Sequence, residues 1–179
     1  MNLILIGPRG VGKSKLSRHV SKKLNLAHVS TDMIAVYEFG GMSISEKIEE
    51  WKGDWQKFRE LEYSILLKLQ TAKNCIVDTG GGILFELENG EEVLSQRKLE
   101  VLRSMGKIIN LTRSIPYLLS KVENDSTRPN LSNTNTYEMI LKRRLPIYKS
   151  VADHTLNIEG LSKEDAGEKL IQIIKQFQK

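Results

Sequence analysis

Gly7-Pro8-Arg9-Gly10-Val11-Gly12-Lys13-Ser14, set directly behind the apolar run Leu3-Ile4-Leu5-Ile6, has the spacing of a Walker A loop. Glycines at 7, 10 and 12 let the backbone bend with its N–H groups turned inward, where they can surround the β-phosphate of a nucleotide. Lys13 brings a point charge to the β- and γ-phosphates, and the Ser14 hydroxyl is placed to ligate Mg²⁺. The flanks are the required ones, a short β-rich run before the loop and an amphipathic segment, 15–24, after it. Gly10, Val11, Gly12, Lys13 and Ser14 are the candidate nucleotide ligands; a glycine-rich turn with no ligand is the plain alternative.

Outward from the loop, short apolar runs at 3–6, 27–29, 75–77, 108–111 and 155–158 alternate with longer helical stretches. Strands separated by helices predict an α/β fold, a parallel doubly wound sheet with helices on both faces and ligands at the carboxyl ends of the strands. Between the second and third runs lies a long helical region. Ser43-Ile44-Ser45-Glu46 has the form of a capping box, and Gly53-Asp54 separates that helix from a second, in which Phe58, Leu61, Ile65 and Leu69 mark one buried stripe. Arg59 and Glu62 lie a turn apart and can pair, while Trp51, Trp55 and Phe58 read as packing. A last helix opens at Ser162 and carries Ala166, Leu170, Ile173, Ile174 and Phe177. Residues 123–136 are too polar to pack, so a flexible loop is expected, with Arg128 its one cation.

The 179 residues, 40% hydrophobic and 27% charged, suffice for the core of one compact domain. No run approaches the ~20 apolar residues that span a bilayer, and Met1 leads straight into a strand, so a cytoplasmic protein without a membrane partner is expected. Cys75, the lone cysteine, reads as a small hydrophobe. The net charge of +5 is scattered among acidic residues, which argues against nucleic acid; a triphosphate and an anionic substrate account for it. His19, His28 and His154 show no zinc-ligand pattern. No exposed apolar stripe calls for a partner chain, so a monomer is expected.

Further residues carry chemistry. Asp32, just past the second run, can accept a hydroxyl proton or hold that hydroxyl in line with a γ-phosphate; it can equally be a helix N-cap ahead of Met33 and Ile34. Three consecutive glycines, Gly80, Gly81 and Gly82, imply a close backbone approach or positive φ, as where a substrate rests on exposed amides; a tight strand-to-helix turn is the alternative. Cys75-Ile76-Val77-Asp78 has the form of a Walker B strand whose acid orients Mg²⁺, unless Asp78 simply accepts hydrogen bonds from the neighbouring loop. Arg59, Arg128 and Arg144 complete the set. Two guanidinium forks around one small pocket suit an anionic substrate, whereas singly each reads as a surface charge. Pro146 is expected to end or kink the helix that carries Arg144.

Taken in order, Gly-x-x-Gly-x-Gly-Lys-Ser, the Asp behind the second strand, Phe58-Arg59-x-x-Glu62, Gly80-Gly81-Gly82, Arg128-Pro129 and Arg144-x-Pro146-x-Tyr148 resemble the shikimate kinase family, from the N-terminus to about residue 153. The resemblance implies a P-loop, nucleoside-monophosphate-kinase-like three-layer fold with a five-stranded parallel sheet. It places a substrate-binding insertion at about 32–62 and a lid at about 120–136 of a single kinase domain, 1–179. The implied reaction transfers the γ-phosphate of Mg·ATP to the 3-hydroxyl of shikimate. By matching position, Asp32 would bind the substrate hydroxyls and act as or near the base. Arg59 and Arg144 would hold the carboxylate, with Gly80, Gly81 and Gly82 giving backbone contacts. Lys13 and Arg128 would act on the phosphates, and Lys121 would pack on adenine.

The chain departs from the family pattern at Ser30, where an acid that helps hold Mg²⁺ is usual, and at Lys15, Asn130 and Asp54. Asp78 is the expected replacement for the lost acid. Lys15 would add charge near the α-phosphate or point to solvent. A gluconate-type kinase of the same fold shares the Walker loop but does not need Arg59, Arg144 and three glycines together. A nucleotide-binding regulator without catalysis is a further alternative. A GTPase lacks support, since no Asn-Lys-x-Asp segment occurs.

Overall fold

Every residue of β1 (Asn2–Ile6) is buried, and its side chains alternate between two cores, Leu3 and Leu5 in one and Ile4 and Ile6 in the other. That alternation is the period of a strand covered on both faces, which an unbroken apolar run permits. The structure is a computed structural model that describes residues 2–123 and 136–177. After β1 come α1 (Lys13–Leu24), β2 (Ala27–Ser30), α2 (Thr31–Glu38), α3 (Ile44–Glu50), α4 (Trp55–Leu69) and β3 (Cys75–Asp78). β4 (Phe85–Glu88), β5 (Glu91–Leu94), α5 (Gln96–Met105), β6 (Gly106–Thr112), α6 (Ile115–Glu123), α7 (Tyr137–Val151), β7 (His154–Asn157) and α8 (Lys163–Gln176) follow.

Five strands form one parallel sheet in the order β2-β3-β1-β6-β7. Because β1 is central and its neighbours leave in opposite directions along the order, the loop behind β1 opens at the switch point, where doubly wound sheets bind ligands. Leu16 and Val20 of α1 pack with Leu170 and Ile173 of α8 on one face. Leu66 of α4, Leu102 of α5 and Tyr148 of α7 pack on the other. A smaller cluster, Ala35, Ile48, Phe58 and Ile65, ties α2, α3 and α4 together. The expected capping box closes around Ser43 and Glu46. Among the described residues no helix is long and apolar enough to cross a membrane.

The glycine triplet leads into an antiparallel hairpin, β4–β5, which rules out the alternative reading of a strand-to-helix turn. Of the end or kink expected at Pro146, the end does not occur: α7 runs on to Val151, because Tyr148 and Val151 beyond the proline are buried in the core and their packing offsets the missing backbone donor. The strands also extend past the apolar runs, as with β6 from Gly106, since parallel pairing with Asn2 continues where burial has already declined.

Candidate active site

Two cavities open side by side at the carboxyl ends of the strands. One, of about 340 Å³, lies between α2, α4 and the glycine triplet and is lined by Asp32, Phe58, Arg59, Glu62, Gly80, Gly81, Gly82 and Arg144. The other, of about 390 Å³, is lined by the Walker loop with Arg113, Tyr117 and Lys121. Arg9, Asp32 and Gly81 line both, so the cavities meet at a carboxylate.

The nucleotide side follows from the loop. Gly12 stands at φ 110 as the N-cap of α1, a conformation an L side chain resists, and sets the start of the helix with its positive end toward the cavity. Lys13 Nζ donates to the carbonyls of Gly7 (2.8 Å) and Pro8 (3.0 Å), which keeps the ammonium against the loop. Gly10, Val11, Ser14 and Lys15 line the same cavity, and Lys15 is exposed at its rim. Arg113 and Lys121 flank the Tyr117 ring, 4.2 and 5.3 Å from its centroid, and Arg113 Nε is buried without a hydrogen-bond partner. Lys121 thus reaches the expected cavity. Arg113 and Tyr117 went unread in the sequence, although a cation, an aromatic and a cation recur every four residues just past β6, Arg113 ahead of α6 and Tyr117 and Lys121 a turn apart on it. Arg128 lies outside the described residues, as does most of the expected lid.

On the other side, Arg59 and Arg144 are only 4% and 3% exposed. The reading of each as a surface charge therefore fails, because both are enclosed by partners. Arg59 Nη1 donates to Glu62 at 2.9 Å, and the fully buried Lys98 donates to the same carboxylate oxygen at 3.0 Å and to the Phe85 carbonyl. Burial alone would raise the Glu62 carboxyl, but Arg59 and Lys98 hold it below the ordinary value. Arg144 donates from Nη1 to the Gly81 carbonyl at 3.1 Å, and its guanidinium lies 4.8 Å from the Phe85 ring centroid. Its Nε and Nη2 go to Glu92 of β5, a residue the sequence did not single out. Trp55 and Phe58, expected only to pack, also line this cavity.

The glycine triplet is explained by close approach; none of its members has positive φ. A Cβ on Gly80 would overlap the Asp32 carboxylate, one on Gly82 would fall on the Arg59 guanidinium, and one on Gly81 would lie 3.0 Å from the Arg9 nitrogen. The Gly80 N–H donates to the Thr31 hydroxyl at 2.9 Å and is thereby occupied within the chain.

Asp32 does not cap its helix. Ser30 is the N-cap of α2, accepting from the Met33 N–H at 3.4 Å, which leaves Asp32 in the first turn facing both cavities. Asp78, in contrast, ends β3 one residue behind Thr79 of the cavity wall. Loop donors go elsewhere, Thr79 N–H to the Leu5 carbonyl and Gly80 N–H to Thr31, and Asp78 Oδ1 is buried without a partner. Nearby His28, 3.0 Å from the Ser17 hydroxyl, is lowered by burial while Asp78 draws it back up.

Comparison with known proteins agrees with this geometry. The shikimate kinase family model matches residues 9–175. The shikimate kinase of Leptospira biflexa is 54% identical over 97% of this chain and 96% of its own length, and that of Leptospira borgpetersenii 50% identical over 97% of each. A solved shikimate kinase from Acinetobacter baumannii, in complex with shikimate, superposes with a TM-score of 0.82 at 26% identity, over 98% of this chain and 93% of that one.

Proposed function

The chain belongs to the shikimate kinase family, and from that premise we propose how its residues transfer the γ-phosphate of ATP to the 3-hydroxyl of shikimate. The observation that carries the proposal is the seam: a cavity backed by two buried arginines meets a phosphate-binding cavity at Asp32. Arg59 and Arg144 hold the substrate carboxylate, and Gly81 and Gly82 offer backbone contacts. Asp32 orients the hydroxyl and takes its proton as the new O–P bond forms and the bond from the γ-phosphorus to the β–γ bridging oxygen breaks. Catalysis here is mostly positioning and charge stabilisation, because the transferred group needs little covalent help. Lys13 neutralises charge on the β- and γ-phosphates, with Gly10, Val11, Gly12 and Lys15 around them. Lys121 packs on the adenine, and Arg128 supplies a further cation to the phosphates.

The hard-oxygen donors present suit Mg²⁺: the Ser14 hydroxyl lines the nucleotide cavity, and Asp78 has an unpartnered buried oxygen just behind its wall. Ser14 and Asp78 would hold the ion, Asp78 through water, and the ion would offset phosphate charge. Replacing Asp78 by Asn should raise the Mg²⁺ concentration needed for half-maximal turnover by roughly tenfold; an unchanged Mg²⁺ titration excludes it as a ligand. The protein acts as a cytoplasmic monomer on small molecules. A coupled ADP-release assay with Mg·ATP and shikimate, gluconate or nucleoside monophosphates tests the reading. Turnover with shikimate alone is expected, and turnover with another acceptor in its place overturns it.

A further inference from the structure

Glu92 stands in β5 opposite Leu87 of β4, beyond a tight turn in which Asn89 and Gly90 both have positive φ, 52 and 82. Its side chain is 9% exposed and meets three guanidinium groups. Oε1 accepts from Arg144 Nη2 and lies 3.6 Å from Arg59 Nη2, while Oε2 accepts from Arg144 Nε at 2.8 Å and from Arg143 Nη2 at 2.9 Å. Glu62 carries Arg59 and Lys98, so among the described residues Glu92 is the one carboxylate that Arg144 pairs with.

Glu92 does not line the substrate cavity, whereas Arg59 and Arg144 do. The carboxylate therefore stands behind the two arginines. Two like charges brought to one cavity wall repel and would turn apart; an oxygen shared between their Nη2 groups offsets that repulsion and fixes which edge each fork turns outward. We propose that Glu92 is a positioning residue that gathers Arg59 and Arg144 into one clamp, and so sets the enzyme's preference for an acceptor bearing a carboxylate over its neutral analogue. The proposal rests on the reading that these arginines hold the shikimate carboxylate. The anchor stays charged throughout neutral pH: burial would raise Glu92, but hydrogen bonds from Arg144 and the charges of Arg144 and Arg59 bring it down to about 2.

The test compares the full chain with its Glu92→Gln and Glu92→Asp variants, measuring kcat/KM for shikimate and for shikimate carboxamide, with KM for ATP and the melting temperature as controls. Glu92→Gln should lower kcat/KM for shikimate about tenfold, chiefly through KM, and leave the carboxamide within about twofold, so the acid-to-amide ratio falls about tenfold. Glu92→Asp, which keeps the charge and shortens its reach, should give an intermediate ratio and keeps the test decisive if the glutamine variant folds poorly. A ratio unchanged in both variants overturns the proposal, as does a lower KM for shikimate in Glu92→Gln, which would make the native carboxylate a competitor. If the unaltered enzyme does not phosphorylate shikimate, the reading of the reaction itself falls, a result distinct from either.

Discussion

Arg144 is the residue at which burial and the proposed substrate contact coincide. It is buried with its charge intact because Glu92 and the Gly81 carbonyl satisfy three of its nitrogens, and burying it unpaired would be prohibitive. Arg144→Lys keeps the charge and loses the fork, and should cost about 2–4 kcal/mol of transition-state stabilisation for shikimate, read as a fall in kcat/KM, with KM for ATP unmoved. A variant as active as the parent would remove Arg144 from the substrate site. Glu92 carries a pH signature. Its folded pKa, about 2, lies below the ordinary 4.5, so its contribution to stability is complete above pH 4.5 and is lost as pH falls toward 2. Urea unfolding between pH 5 and pH 3 should therefore show a steeper loss of stability in the parent than in Glu92→Gln, and equal slopes would contradict the pairing. The sequence was legible where a residue's place is set locally, as with Lys13, whose position behind its glycines puts it on the cavity wall. Asp32 stayed ambiguous because an acid one residue into a helix and an acid at its cap look alike, and only the Ser30 hydroxyl on the Met33 N–H separates them.

Among the elements, the segment from Thr79 to β5 decides how the substrate cavity is built. The glycines bring Asp32, the backbone of Arg9 and the Arg59 guanidinium against one stretch of chain. Gly82→Ala would push a methyl into that guanidinium, and it should raise KM for shikimate about tenfold or more while the protein stays folded, as circular dichroism would show. A normal KM would mean that Arg59 can move without consequence. The triplet could be read as a site of close approach, but the hairpin behind it was missed. Its signal was present in Asn89-Gly90, the pair that a two-residue hairpin turn with positive φ at both positions prefers. Polar, charged strands masked it, since Glu86, Glu88, Glu91 and Glu92 give no apolar run. At Pro146 local chemistry allows an end or a kink, and tertiary packing of Tyr148 and Val151 carries the helix past it.

For the molecule as a whole, β1 and the loop behind it determine the fold, because a fully buried central strand that ends in a phosphate loop leaves the doubly wound sheet as its natural setting. The five strands of the main sheet, the helices on its two faces and the helical region between β2 and β3 were readable from periodicity. The charge network was not: Lys98 meets Glu62 from 36 residues away, and Arg144 meets Glu92 from 52, separations at which spacing carries no information. ADP at a hundredfold excess over its Kd should add about 2.7 kcal/mol to stability, visible as a rise of several degrees in the melting temperature. No shift would argue against nucleotide binding to the folded chain. If the two cavities form one transfer site joined at Asp32, ³¹P NMR of purified protein with Mg·ATP and shikimate should show ADP together with one new monoester, with phosphorus coupled to the proton on carbon 3 of shikimate, and loss of that signal in Asp32→Asn. Phosphate on a different hydroxyl, or ADP and free phosphate with no ester, would contradict it.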